Sequence, residues 1–264
     1  MSVAGRTAFI TGAGSGIGKA LANKLLSEGA HTIVAVDHSS KTLNLAVDQF
    51  TSNFPKATII SIVADVTKPD NLSAAFEKAK KSNSPPISIV VNNAGTAIEH
   101  GNLWRNNVEL NLVAPILSSQ MGLSVFKENP DTGGVIVNVA SMAGLAPMPF
   151  GPVYTATKHG LVGFSRCFDH LARKNIRVTA LCPAFVDTPM VRNMLENSPP
   201  KEAAMGQAAI DSLGGLIPME NVERAFMDLV TNDEHVGSIM RITNANGAEV
   251  HKYPDADAMK LPSR

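Results

Sequence analysis

The sequence is poor in cysteine, aromatic residues and net charge, and it has no long apolar run. Two cysteines, Cys167 and Cys182, in 264 residues are too few for a disulfide framework and fit a reducing compartment. Cys182 closes an apolar run, where a buried small side chain is expected rather than a nucleophile. Lysine plus arginine and aspartate plus glutamate number 23 each, so there is no basic footprint for nucleic acid or an anionic membrane. No stretch approaches the roughly 18 apolar residues of a membrane span. The opening MSVAGRTAFI lacks the extended apolar core of a signal peptide. A cytoplasmic protein without a metal site is expected.

What is present is apolar material in short blocks. Hydrophobic residues make up 44% and charged residues 17%, enough for a core and too little charge for disorder. Residues 7–11, 32–36, 59–63, 87–91, 135–139, 176–182 and 238–242 read as strands. Helical patterns fall between them, at about 40–54 and 69–82 and in a long stretch ending near 127. This alternation predicts an α/β fold, a right-handed doubly wound parallel sheet of Rossmann type with helices on both faces. The near-continuous apolar character of the strands fits burial on both sides. No repeat or linker divides the chain, and one domain over 1–264 is expected.

The unusual polar and glycine-rich segments follow strand ends: 12–18, Asp37, 65–66, 92–95, Ser141 and 183–188. In such sheets that edge binds ligands. After the first strand come Gly12, Gly14, Gly16 and Gly18, then a helical pattern with Leu21, Leu25 and Leu26 and a stop at Gly29. A glycine turn lets backbone approach a phosphate, and the helix N-terminus offers free N–H groups and a positive dipole end. The spacing departs from Gly-x-Gly-x-x-Gly, since Ile17 stands where the third glycine would be. Asp37 lies about twenty residues on, where a carboxylate meets ribose hydroxyls. Tyr154 and Lys158, four residues apart, fall on one helix face. The ammonium is expected to pull the phenol down from about 10 toward neutrality. Ser141, at a strand end, can converge with that phenol on one substrate oxygen.

These residues resemble the short-chain dehydrogenase/reductase family. Its turn Thr-Gly-x-x-x-Gly-x-Gly is matched by Thr11, Gly12, Gly16 and Gly18, and its Asn-Asn-Ala-Gly run stands at Asn92 to Gly95. Its Asn, Ser, Tyr and Lys tetrad maps onto Asn111, Ser141, Tyr154 and Lys158. Within the family, PVYTATKHGLVG (152–163), CPAFV (182–186) and GSIMRIT (237–243) look like NAD-dependent 15-hydroxyprostaglandin dehydrogenases. Two departures stand out: Gly151 where those enzymes carry a glutamine, and no lid tyrosine around Leu213.

The resemblance implies NAD as cofactor, with a cofactor half at about 1–140, a catalytic and substrate half at about 141–250 and a polar tail, 251–264. Gly12, Ser15, Gly16, Ile17, Asp37, Asn93, Tyr154, Lys158, Val186 and Thr188 would bind NAD, and Asp65 and Val66 would frame the adenine. Ser141, Gly151, Tyr154 and Phe185 would meet the substrate, and Asn111 would hold a water. The implied reaction interconverts a secondary alcohol and its ketone in a homodimer or homotetramer; the alternative is an NAD-binding protein without net redox chemistry. After Pro183 the lid region carries Met190, Met194, Leu195, Met205, Ile210, Leu213, Leu216, Ile217 and Met219. With Met142, Met148 and Phe150 these suggest an apolar substrate, since methionine adapts to irregular apolar shapes.

Overall fold

All seven apolar runs are strands in the computed structural model, which describes residues 1–99 and 101–253. They are β1 (Thr7–Thr11), β2 (Thr32–Asp37), β3 (Thr58–Val63), β4 (Ile87–Asn92), β5 (Gly134–Val139), β6 (Ile176–Pro183) and β7 (Ile239–Thr243). An eighth, β8 (Gly247–Val250), completes one sheet in the order β3-β2-β1-β4-β5-β6-β7-β8. The first seven pair in parallel and β8 runs antiparallel to β7. Most of the expected polar tail, residues 254–264, lies outside the described residues.

The pleat sends alternate side chains to opposite faces. Ile10, Ile33, Ala35, Ile89 and Val137 pack beneath α1 (Gly16–Ser27), α2 (Ser40–Asn53) and α9 (Met219–Thr231). Phe9, Val34, Val90, Ile136 and Val178 pack beneath α3 (Pro69–Lys80) and α5 (Ala114–Glu128). Phe9 and Phe76 stack with ring centroids 4.0 Å apart. Phe126 and Phe226 are fully buried on opposite sides; truncating either to alanine would cost about 3–5 kcal/mol. β3 departs from the expectation of two-sided burial. It is an edge strand, half-buried at its centre and exposed at both ends.

The order of strands reverses between β1 and β4, and a crevice opens there at the carboxyl ends. On its far side α4 (Leu103–Val108) passes through a π-helical turn (Glu109–Val113) into α5. Pro115 has no N–H to offer the Asn111 carbonyl, and the widened turn sits at that break in the ladder. The remaining helices, α6 (Pro152–Arg166), α7 (Pro189–Asn197) and α8 (Pro200–Ser212), follow β5 and β6 and close the crevice from the other side.

Candidate active site

The crevice has a volume of about 970 Å³ and runs along the ends of β1, β2, β4, β5 and β6. One wall is the glycine turn. Gly12 has φ 68°, and a Cβ there would lie 2.7 Å from Asn93 Nδ2, so only glycine fits. The Asn93 amide donates to the carbonyls of Thr11 (3.1 Å) and Gly12 (3.2 Å). A Cβ at Gly18 would strike the Gly12 carbonyl, which is how α1 comes so close to β1. Ser15 makes no side-chain cap bond, leaving the first N–H groups of α1 free for an anion at the positive dipole end. Asp37 is buried and accepts from the Gly14 N–H (2.9 Å) and the Ser39 N–H (3.0 Å). Asp65 is exposed; hydrogen bonds from Thr67 hold its carboxyl below the usual range. Gly12, Ser15, Gly16, Ile17, Asp37, Asp65, Val66 and Asn93 all line the crevice. Asn93, however, spends its amide donors on the turn itself, so its side chain shapes the turn.

Beyond the glycine turn the crevice follows β5. Ser141 opens a 3₁₀ turn (Met142–Gly144), and its Oγ accepts from the Ala143 N–H at 3.1 Å. α6 carries Tyr154 and Lys158 on one face. Lys158 Nζ donates to the Val139 carbonyl at 2.9 Å and lies 5.5 Å from the Tyr154 ring centroid. Burial lowers the Lys158 ammonium from 10.5 to about 8. The expected lowering of the Tyr154 phenol is not what this geometry gives. Burial pushes the phenol up, against a smaller downward pull from a hydrogen bond with Ser141. The ring is half-buried, so water in the crevice moderates that rise. Cys182 is fully buried beside this group, and burial drives its thiol up to about 12, which makes it inert.

Phe185, Val186 and Thr188 line the crevice with Ser141, Tyr154 and Lys158. Thr188 also caps α7, accepting from the Val191 N–H. Two expected residues are not on the crevice wall. Asn111 is fully buried: it accepts from the Thr96 N–H (2.9 Å) and donates to Thr96 O (2.7 Å) and Asn107 Oδ1 (2.7 Å). Its side chain is thus committed to the loop after β4, with no donor left for a water. Gly151 is buried under Met148, whose methyl fills the space where a Cβ would point.

Glu99 has no motif to announce it. Its carboxylate accepts from the backbone N–H groups of Val153 (3.3 Å) and Tyr154 (2.7 Å); position just past the Asn-Asn-Ala-Gly run was the sole cue. The apolar lid divides. Met190, Met194 and Leu213 line the crevice with Met142, Met148 and Phe150. Ile210 and Ile217 are buried, Ile217 within the core beneath α9, and Met205 and Leu216 face solvent. Among the described residues no cluster of His, Cys, Asp or Glu could hold a metal ion, and no helix is long and apolar enough to cross a membrane.

The family described as short chain dehydrogenase matches residues 6–199. The NAD(+) 15-hydroxyprostaglandin dehydrogenase of Mus musculus is 32% identical over 265 residues, covering 96% of this chain and 95% of that one. Among solved structures, L-sorbose reductase from Gluconobacter frateurii, complexed with NADPH and L-sorbose, superposes with a TM-score of 0.79 at 26% identity over 92% of this chain and 97% of that one. The 3-ketoacyl-(acyl-carrier-protein) reductase from Brucella melitensis, complexed with NADH, gives 0.78 at 27% identity over 92% and 98%.

Proposed function

The chain belongs to the short-chain dehydrogenase family of oxidoreductases, and from that premise we propose that it interconverts an apolar secondary alcohol and its ketone with NAD. The observation that carries this reading is the convergence of Ser141, Tyr154 and Lys158 on the crevice that the glycine turn and Asp37 also line. The residues fit a dinucleotide: an uncapped helix N-terminus for the pyrophosphate, a glycine turn that admits close approach, and a fixed carboxylate for ribose hydroxyls. Held by these residues, NAD would supply the hydride acceptor for oxidation of the carbinol carbon.

Tyr154 takes the hydroxyl proton as general base, and Ser141 hydrogen-bonds the same oxygen. Lys158 keeps a positive charge near the ring at pH values below about 8, which favours the phenolate. Asn111 acts by fixing the loop between β4 and α4, and any water at this residue would meet its backbone carbonyl. Asp37 supports NAD over NADP, because its buried carboxylate, whose ion-pair contact among the described residues is with the exposed His38 alone, would face a 2′-phosphate. The relatives named for NAD(+) agree, although the sorbose reductase holds NADPH. The continuous sheet supports reading the two halves as one domain. Exposed Leu103, Trp104 and Val113 offer apolar surface for a homodimer or homotetramer, which light scattering would test. Absorbance of reduced nicotinamide, with secondary alcohols and NAD, tests the activity: no turnover with any alcohol or ketone would overturn it.

A further inference from the structure

We propose that Glu99, held by Asn107, is a positioning residue that sets the orientation of Tyr154; the proposal rests on reading Tyr154 as the proton-transfer group. α6 opens with Pro152, which has no N–H, so Val153 and Tyr154 carry the first two donors of the helix. Gly151, at the cap position, makes no side-chain cap bond. Both donors instead go to one carboxylate that lies 55 residues upstream of Tyr154. A serine or aspartate at position 151 would stabilise the helix end locally. A distant carboxylate does something further: it ties the backbone of Tyr154 to another wall of the site. A Cβ at Gly151 would collide with the Met148 methyl but only touch Glu99 Oε2, at 3.9 Å, so the carboxylate contact does not itself require the glycine.

The loop that carries Glu99 is itself fixed. Asn107 is fully buried and donates to Thr96 O (3.3 Å) and Ile98 O (3.2 Å). Its Oδ1 accepts from Asn111 Nδ2 at 2.7 Å and lies 3.5 Å from Thr157 Oγ1, whose proton goes to the Tyr154 carbonyl at 2.8 Å. Thr157 lies on α6, one turn beyond Tyr154. The loop after β4 therefore meets α6 through Glu99, at Val153 and Tyr154, while α4 meets it one turn further on, through Asn107 and Thr157. The stretch Asn93 to Ala97 of the same loop lines the crevice. The catalytic phenol is thus held to the segment that borders the cofactor, and its register depends on that link.

The test compares Glu99→Ala, Glu99→Gln and Tyr154→Phe in NAD-linked oxidation of a secondary alcohol, assayed well below each melting temperature, with NAD affinity measured separately. Misplacement of a catalytic group by about 1 Å costs on the order of 10²-fold. Glu99→Ala should therefore lose roughly 10- to 100-fold in kcat with NAD affinity retained. Glu99→Gln, whose single amide oxygen still accepts, should fall between it and the parent, and it carries the test should the alanine variant fail to fold. Parental kcat in either variant, or loss of kcat only in step with NAD affinity, overturns the proposal. Activity surviving in Tyr154→Phe overturns both readings, whereas an inactive Tyr154→Phe beside a fully active Glu99→Ala overturns the clasp alone.

Discussion

On the β1–α1 side of the crevice, Asp37 is held by two backbone N–H groups and Asn93 grips the turn carbonyls. Across from it, α7 buries none of its nine residues, and Met190 presents its side chain half to solvent. The first wall recognises by fixed polar atoms, each at one distance from its partner. The second offers apolar surface whose shape can adapt to what it covers. Fixed dipoles and charges discriminate between chemical groups, while adaptable apolar surface discriminates by size. A cofactor shared by many enzymes suits the first, and a variable substrate suits the second.

The largest break in that comparison comes from the group standing between the walls. Tyr154→Phe removes the phenol without touching the glycine turn. It should lower kcat by about 10²- to 10⁴-fold, the span for one general acid–base group, while isothermal titration still finds parental NAD affinity. Next in size is the cofactor preference. Like charges about 4 Å apart at an effective dielectric near 20 repel by roughly 4 kcal/mol, less with solvent screening. The parent should prefer NAD over NADP by at least about tenfold in kcat/KM, where 1.4 kcal/mol corresponds to a factor of ten. Asp37→Ala should narrow that ratio. Equal efficiency with both cofactors in the parent would mean that the fixed carboxylate does not face the ribose.

The two walls were unequally legible in the sequence, for the same physical reason. Apolar runs located seven strands because burial on both faces demands them, yet apolar content alone did not distinguish the edge strand β3 from its neighbours. β8 is four residues, GAEV, with three exposed, so no hydrophobic pattern marks it. Gly12, Asp37, Ser141, Tyr154 and Lys158 were legible because each follows a strand end or keeps a helix spacing. Glu99 was not, since it acts through the backbone of a helix far along the chain. The direction of the Tyr154 shift was not legible either. It depends on how much water the assembled walls exclude, and burial outweighs the hydrogen bond from Ser141.

A third test uses the buried ammonium to ask how dry the junction of the walls is. Lys158 is lowered from 10.5 to about 8 in the folded protein. Between those values the unfolded chain binds a proton that the folded one has released, so this group makes stability rise with pH. Below about 8 the ammonium is charged in both states and its full burial cost remains. Cys182 works in the opposite sense above about 9, because its folded thiol, pushed up to about 12, keeps a proton that the unfolded thiol loses. The clean window is pH 8 to 9. There the parent should gain up to about 1.4 kcal/mol relative to Lys158→Met, or roughly 2–4 °C in relative melting temperature for a domain of this size. A constant difference across that window would show that water reaches the ammonium and that the junction of the walls is wetter than the burial of Lys158 suggests.

The smallest effect sharpens the comparison most finely, because it acts on the substrate wall alone. Met142, Met148, Phe150, Met190 and Met194 line that part of the crevice. Each methylene buried among them contributes up to about 0.8 kcal/mol, close to fourfold in kcat/KM. A series of secondary alcohols of rising chain length should therefore climb by no more than that factor per carbon until the space is full, then level off. KM for NAD should stay unchanged along the series, since the polar wall does not respond to substrate length. Sugars and polyols should do worse, because their hydroxyls would be desolvated against methionine and phenylalanine with few partners to replace water. Higher kcat/KM on the polyols, or no trend with length, would assign fixed polar recognition to both walls and dissolve the distinction between them.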